Sequence, residues 1–217
     1  MRCNRILKWF VLILGFSLFL FFIGAKIASR IAGRWGKSAP CPASLSWVVD
    51  NSLRKRYMRP VLDWVSIQLG ETVLELGPGP GVFTLEAAQR TGSDGKLIAV
   101  DIQPEMISQL KARLQAANLT NVETHVASAY ELPLADQSVD RAFLVSVLPE
   151  IPNPPQALAE LNRVLRPGGV LSITHEFIDP DYLFAGETIS LVEPFGFKKT
   201  SQAGNWWLYT INFVKEG

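Results

Sequence analysis

Apolar positions fall in three regimes along the chain. Residues 9–25 form a continuous apolar run, with Lys8 before it and Lys26 after it. Residues 44–69 mix apolar and polar positions in a way that predicts one or two helices. From residue 72 onward, short apolar runs alternate with longer mixed stretches. That alternation predicts strands over 72–76, 96–101, 122–127, 141–147 and 170–176, and helices over 82–91, 104–117 and 154–165. Pro104 falls in a first helical turn, where its missing N–H costs little, and Pro167-Gly168-Gly169 stops the last of these helices. Residues 189–195 read as helical. Residues 197–200 and 207–214 read as a closing antiparallel pair, with Gly204-Asn205 in the turn. The predicted fold is α/β: a mostly parallel seven-stranded sheet with helices on both faces and a C-terminal antiparallel hairpin. Ligands of such sheets bind at the carboxyl ends of the strands.

The chemistry concentrates at two of those ends. Strand one runs into Glu75-Leu76-Gly77-Pro78-Gly79-Pro80-Gly81, and strand two ends on Asp101. Alternate glycines let a ligand approach the backbone closely. A dinucleotide loop places its third glycine one position later; position 82 is Val, which disfavours a nicotinamide-dependent reductase. No Gly-Lys-Ser/Thr ending is present for a nucleoside triphosphate. The ligand implied is nucleoside-like and not phosphorylated, with an amino group for Glu75 and ribose hydroxyls for Asp101. S-adenosylmethionine has both.

These residues carry a resemblance. Glu75 to Gly81 resembles motif I of the class I S-adenosylmethionine-dependent methyltransferases, and Leu97-Ile98-Ala99-Val100-Asp101 resembles their motif II. Leu132-Pro133-Leu134-Ala135-Asp136-Gln137-Ser138-Val139-Asp140 and Leu165-Arg166-Pro167-Gly168-Gly169 resemble later signatures of the subgroup with the ubiquinone/menaquinone-biosynthesis enzymes. The likeness covers residues 60–217 with four motifs in order. It implies a Rossmann-like fold and S-adenosylmethionine as cofactor, bound by Glu75, Gly77, Gly79, Gly81, Asp101, Ile102, Ser128 and Ala129. Glu75 would lie by the methionine moiety, Asp101 by the ribose and Ile102 against the adenine. Relatives usually carry an Asp after strand three; here the stretch is Ala127-Ser128-Ala129, with no charge. Many relatives have a His after strand four; here Pro149-Glu150 stands in its place. Glu150 is the candidate to face the acceptor as a base, against the plainer reading of a surface acid. His175 at the end of strand five is the second acceptor-side candidate. His125 reads as structural, and Trp206 and Trp207 as packing on the sheet, with an acceptor wall as the alternative reading.

Charge separates the chain into parts. Residues 1–37 hold seven Lys/Arg and no acid, whereas residues 60–217 hold ten Lys/Arg against nineteen Asp/Glu. An acidic domain disfavours a nucleic-acid substrate. A basic arm beside an apolar run points to an anionic membrane surface. As a helix, residues 9–25 would measure roughly 26 Å, close to a bilayer core, with Lys8 and Lys26 able to snorkel and Trp9 at the interface. The predicted organisation is therefore a membrane anchor and basic juxtamembrane helix over 1–37, a linker with a helix over 38–59, and a catalytic domain over 60–217. A cleaved secretory signal and a buried core helix are the competing readings of the apolar run. Lysines flank both ends, so charge leaves the orientation open; access to a cytosolic methyl donor places the domain on the cytosolic side. Cys3 and Cys41 lie on opposite sides of the run, and offer no disulfide framework or metal spacing. The expected activity is methyl transfer to a small, lipophilic acceptor: a quinone precursor, a lipid amine or a thiol. A membrane-tethered, donor-binding non-enzyme is the alternative.

Overall fold

The computed structural model of the chain describes residues 40–217, together with residues 9, 13–17, 20 and 24. Seven strands form one sheet: β1 (Thr72–Leu76), β2 (Lys96–Asp101), β3 (Val122–Val126), β4 (Val139–Val145), β5 (Leu165–Glu176), β6 (Phe197–Gly204) and β7 (Leu208–Lys215). Their spatial order is β3-β2-β1-β4-β5-β7-β6. The pairs from β3 through β5 are parallel, and β7 runs antiparallel to both its neighbours. Chain order reverses between β1 and β4, so the loops after β1 and β4 diverge there and leave a crevice at the carboxyl ends.

The helices are α1 (Ser46–Val49), α2 (Ser52–Met58), α3 (Val61–Val65), α4 (Thr84–Thr91), α5 (Pro104–Ala116), α6 (Pro154–Val164) and α7 (Ala185–Val192). Side chains alternate across the sheet. Leu74, Ile98, Val100 and Leu144 pack with Leu158 and Leu161 of α6 and Val192 of α7. Val73, Leu97 and Phe143 pack with Met58, Val61, Val65 and Ala87 from α2, α3 and α4. Both faces are covered, so β1 and β2 are almost wholly buried. Each such apolar side chain contributes about 1.5–3 kcal/mol on burial. Asn51 caps α2 by accepting from the Arg54 amide at 2.9 Å, and Asn153 caps α6.

Several boundaries differ from the sequence reading. The helical region after residue 44 splits into a 3-10 turn and three short helices, broken at Arg59-Pro60. Met58 is buried against the sheet, and Arg54 is buried as well. The segment 165–169, expected as a helix stop, is the first part of β5. Leu165 pairs with Val139 and Val170 with Arg141, so the Pro-Gly-Gly run bulges out of the ladder. Gly169 permits this, since a Cβ there would meet the Asp140 carbonyl at 3.1 Å.

The anchor expected over 9–25 and the basic continuation at Lys26, Arg30 and Arg34 lie mostly outside the described residues. Trp9, Ile13, Leu14, Phe16 and Leu20 are helical, with exposed side chains. Among the described residues no helix is long and apolar enough to cross a membrane.

Candidate functional site

The crevice is a cleft of ≈ 830 Å³, toward the upper end of the roughly 300–1,000 Å³ usual for small-molecule sites. The glycine turn after β1 forms its floor. Gly77, Gly79 and Gly81 all have positive φ (72°, 54° and 90°). At Gly77 a Cβ would collide with the Val147 side chain, and at Gly81 it would meet Leu110 at 2.6 Å. At Gly79 a Cβ would meet nothing within 4 Å. The first and third glycines thus serve packing, and the middle one bares its backbone to the cleft.

Glu75 follows Val73 onto the α4 face of β1 and lines the cleft. It is 3% exposed; its Oε2 closes no full hydrogen bond, and the Thr84 hydroxyl stands near enough to favour the charged form without closing one either. Burial pushes the Glu75 carboxyl up to about 8, with the Thr84 hydroxyl offsetting part of the rise and the Asp101 charge adding to it. A buried carboxylate without a partner is costly, so this atom has acceptor capacity left for a donor that enters the cleft. Asp101, at the end of β2, is spoken for in part: Oδ2 accepts from the Gly79 amide at 3.1 Å and Oδ1 from the Gln103 amide at 2.9 Å. It therefore staples the glycine turn to the β2 end. Burial raises its pKa, and the Gln103 and Gly79 amides pull it back. Each oxygen keeps a lone pair for a further donor.

Ile102 is 57% exposed and, with buried Met106, supplies an apolar wall. Ser128 and Ala129 line the same cleft. The Ser128 hydroxyl accepts from the Tyr130 amide at 3.2 Å, which fixes the turn after β3. Seven of the eight residues expected to hold the cofactor are thus brought to one cleft; Gly81 is set behind the turn, against Leu110. They fit a ligand with an ammonium, a ribose and a flat base.

Glu150 also faces this cleft, from a 3-10 turn after β4. Its Oε2 accepts from the Cys41 amide at 3.3 Å. Burial pushes its carboxyl up to about 8, the Asp179 charge adds to the rise, and the Cys41 amide draws it down. Burial likewise raises the Cys41 thiol. The strap around Cys41 is pinned by one more side chain: Gln103 donates to the Cys41 carbonyl at 2.9 Å and accepts from the Ala43 amide at 3.1 Å.

His175 is a correction. It was expected at the acceptor, but strand alternation turns it to the opposite face. It is fully buried between Tyr209 and Tyr182, with ring centroids at 5.6 and 6.3 Å. Both ring nitrogens lack partners, and burial lowers its pKa to about 3, so it stays neutral in the core. Glu176, the next residue, faces the cleft instead. Its Oε1 accepts from Arg54 Nε at 2.7 Å, and its Oε2 accepts from the Tyr57 hydroxyl. Arg54 also donates to the Val49 carbonyl at 2.9 Å and lies over the Phe83 ring. Ser146, at φ 58° after β4, aims its hydroxyl at Glu176 from 3.4 Å. A non-glycine residue in that region marks local strain. This Arg54–Tyr57–Glu176 group was not legible from local motifs. His125 pairs with Glu123 at the sheet edge, away from the cleft. Trp206 is 65% exposed rather than packed on the sheet.

Residues 67–190 match a family profile described as a methyltransferase domain. The chain is 37% identical over 150 residues to an uncharacterized 37.1 kDa protein in transposon TN4556 of Streptomyces fradiae, covering 68% of this chain and 43% of that protein. It is 40% identical over 105 residues to arsenite methyltransferase of Halobacterium salinarum, covering 48% and 27%. It is 28% identical over 136 residues to demethylmenaquinone methyltransferase of Listeria welshimeri, covering 63% and 58%. The matches thus take in from about a quarter to three-fifths of these relatives' length. Among solved structures, a SAM dependent methyltransferase from Aquifex aeolicus superposes with a TM-score of 0.75 at 24% identity, covering 81% of this chain and all of that one. That likeness shows the fold.

Proposed function

Since the chain belongs to the methyltransferase-domain family and carries an S-adenosylmethionine-dependent domain, we propose that it moves a methyl group from S-adenosylmethionine to a small lipophilic acceptor at a membrane. The observation that carries the donor site is Glu75 Oε2, buried and unpartnered in the cleft that the open face of Gly79 also lines. Bound there, S-adenosylmethionine supplies a methyl group already activated on a sulfonium. The chain's own task is then mainly proximity and orientation. Glu75 pairs with the ammonium, Asp101 accepts from the ribose while holding the loop, and Ile102 and Met106 form one apolar wall against the base. Ser128 takes the place of a charged residue, so the base is held through packing and backbone contacts.

Glu150 stands at the acceptor end of the cleft. With a pKa near 8 it is a competent proton acceptor for a phenol, thiol or ammonium group that must deprotonate. The relatives act, by their names, on arsenite and on demethylmenaquinone; a quinone precursor, a lipid amine or a thiol fits the largely apolar lining here. Residues 9–25 support membrane attachment through their length and the exposure of Trp9, Ile13, Leu14, Phe16 and Leu20. The domain then lies on the side where the donor is made.

The test is transfer of labelled methyl from S-adenosylmethionine into membrane lipid extract by the full chain in vesicles. Incorporation into a lipophilic product supports the proposal. Donor binding without incorporation into any lipid, quinol or thiol would instead favour the tethered, donor-binding non-enzyme. A pH profile then reads Glu150. Its raised pKa means that it is protonated and idle below 8 and ionised above. With donor saturating at every pH, so that the Glu75 contribution to binding drops out, kcat is expected to rise about tenfold per unit up to pH 8 and then level off. Glu150→Gln should lower kcat by about 10²–10⁴ and flatten the profile. A flat profile in the parent would remove Glu150 as base.

A further inference from the structure

The mouth of the cleft is ringed by exposed apolar side chains on both lips. One lip is the α1–α2 segment, with Trp47 (68% exposed), Val48 and Leu53 (73%). The other follows β5 and precedes β7, with Ile178, Trp206 (65%) and Trp207. Val48, Leu53 and Ile178 line the cleft itself. The tryptophan pair is tied to the same rim. Leu208 pairs with Glu176 in the sheet, the Phe177 amide donates to the Trp207 carbonyl at 2.6 Å, and the Phe177 ring lies 5.2 and 5.6 Å from the two indoles. Large apolar groups clustered at an opening mark an interaction surface.

Two observations say what covers it. The first is where the rest of the chain joins. The described body begins at Pro40, which lines the cleft, and the next residue is held on Glu150 and Gln103 at the mouth. The described body thus starts at this rim, and the sequence preceding it holds seven Lys/Arg, no acid and the apolar run. The second is charge. Arg56 and Arg59 are exposed in and just after the helix that carries Leu53, and residues 51–62 contain no acid. Lys55 joins them, shared with Asp50 at 2.5 Å. The rim acids Asp179 and Asp181 line the cleft. Basic residues flanking tryptophan and leucine match an anionic headgroup layer over an acyl region.

We infer that the cleft mouth is a membrane-docking face: Trp47, Leu53, Trp206 and Trp207 dip into the bilayer interface, so that the acceptor passes from the lipid into the cleft without crossing water. This rests on the membrane attachment proposed above. The test uses the full chain with Cys3→Ser and Cys41→Ser. A single environment-sensitive dye is placed at Trp47→Cys, Leu53→Cys or Trp206→Cys, with Ser93→Cys at the opposite end of the sheet as control. Vesicles of neutral and anionic phospholipid carry brominated acyl chains. Quenching of about twofold or more is expected at the three rim sites and none at residue 93. A chain that floats with the vesicles while its rim labels are quenched no more than residue 93 overturns the docking face, and assigns the patch to a protein partner. A chain that does not float overturns the attachment itself. Hydrogen exchange on the unmodified chain gives a label-free check: segments 50–53 and 204–207 should slow on vesicles, and unchanged rates would overturn the proposal.

Discussion

Glu75→Gln is expected to weaken binding of S-adenosylmethionine to the full chain by about 10–100-fold, and at the same time to raise the unfolding midpoint of the unliganded protein at pH 8–9. The first effect is loss of a charge-assisted hydrogen bond, about 1.5–3 kcal/mol. The second follows from linkage. The folded pKa of Glu75 is raised from 4.5 to about 8, so the folded state binds a proton that the unfolded state has released. Stability is therefore lost as pH climbs from about 4.5 to 8, and above that the core carries a bare carboxylate. Glutamine does not titrate, and its amide can donate to the Thr84 hydroxyl. The two proteins should melt together near pH 4 and diverge progressively up to pH 8. The donor's ammonium supplies the missing partner, so parent affinity should rise about tenfold per unit below pH 8, with release of a proton. Calorimetric titration in buffers of differing ionisation enthalpy reads both. An unchanged affinity would show that the ammonium binds elsewhere. A lower midpoint than the parent at pH 8 would show that Glu75 is already satisfied in the free protein. Raised stability with lost binding is the trade expected of a strained binding residue.

Backbone-determined parts of the site were readable from sequence, and pairwise parts were not. Gly77, Gly79 and Gly81 stand out because positive φ and close packing restrict residue choice within one short segment. Asp101 stands out because it ends a uniformly apolar strand. By contrast, Arg54 meets Glu176 across 122 positions, and no local pattern foretells such a contact. The exchange of His175 for Glu176 has a related cause. Strand side chains alternate, so an error of one residue reverses the face. In β5 both faces are buried from Leu171 to Glu176, so hydropathy gives no alternation with which to fix the parity. Thr174 bonding Thr210 on one side, and Ile173 in the core on the other, settle it only once the pairing with β7 is known. The Pro-Gly-Gly stretch misled for a simpler reason: its composition marks a helix stop equally well whether the chain turns or bulges into a strand.

Arg54→Met is expected to lower stability by about 3–5 kcal/mol, or roughly 10 °C for a domain of this size. Arg54 and Glu176 have side chains only 9% and 4% exposed, at 2.6 Å, so solvent screens them little. Removing the guanidinium leaves Glu176 buried with only the Tyr57 and Ser146 hydroxyls, and frees the Val49 carbonyl. Tyr57→Phe should cost less, about 1.5–3 kcal/mol, because it deletes one hydrogen bond to a charged acceptor. Burial and the Glu176 charge both hold the Tyr57 hydroxyl in its protonated form, so it serves as a donor throughout the working pH range. Arg54→Met with Glu176→Leu should recover at least half of the loss, since an apolar pair replaces the uncompensated charge. The consequence for function comes from geometry. This group fastens α2, and with it the Val49 and Leu53 side of the cleft, to the end of β5. The single variant should therefore raise the acceptor KM more than it changes donor affinity, whose proposed ligands Glu75 and Asp101 sit on β1 and β2. Equal loss of both would mean that the brace supports the whole domain and not one wall. A midpoint within 1 °C of the parent would mean that the pair is hydrated in solution and holds nothing.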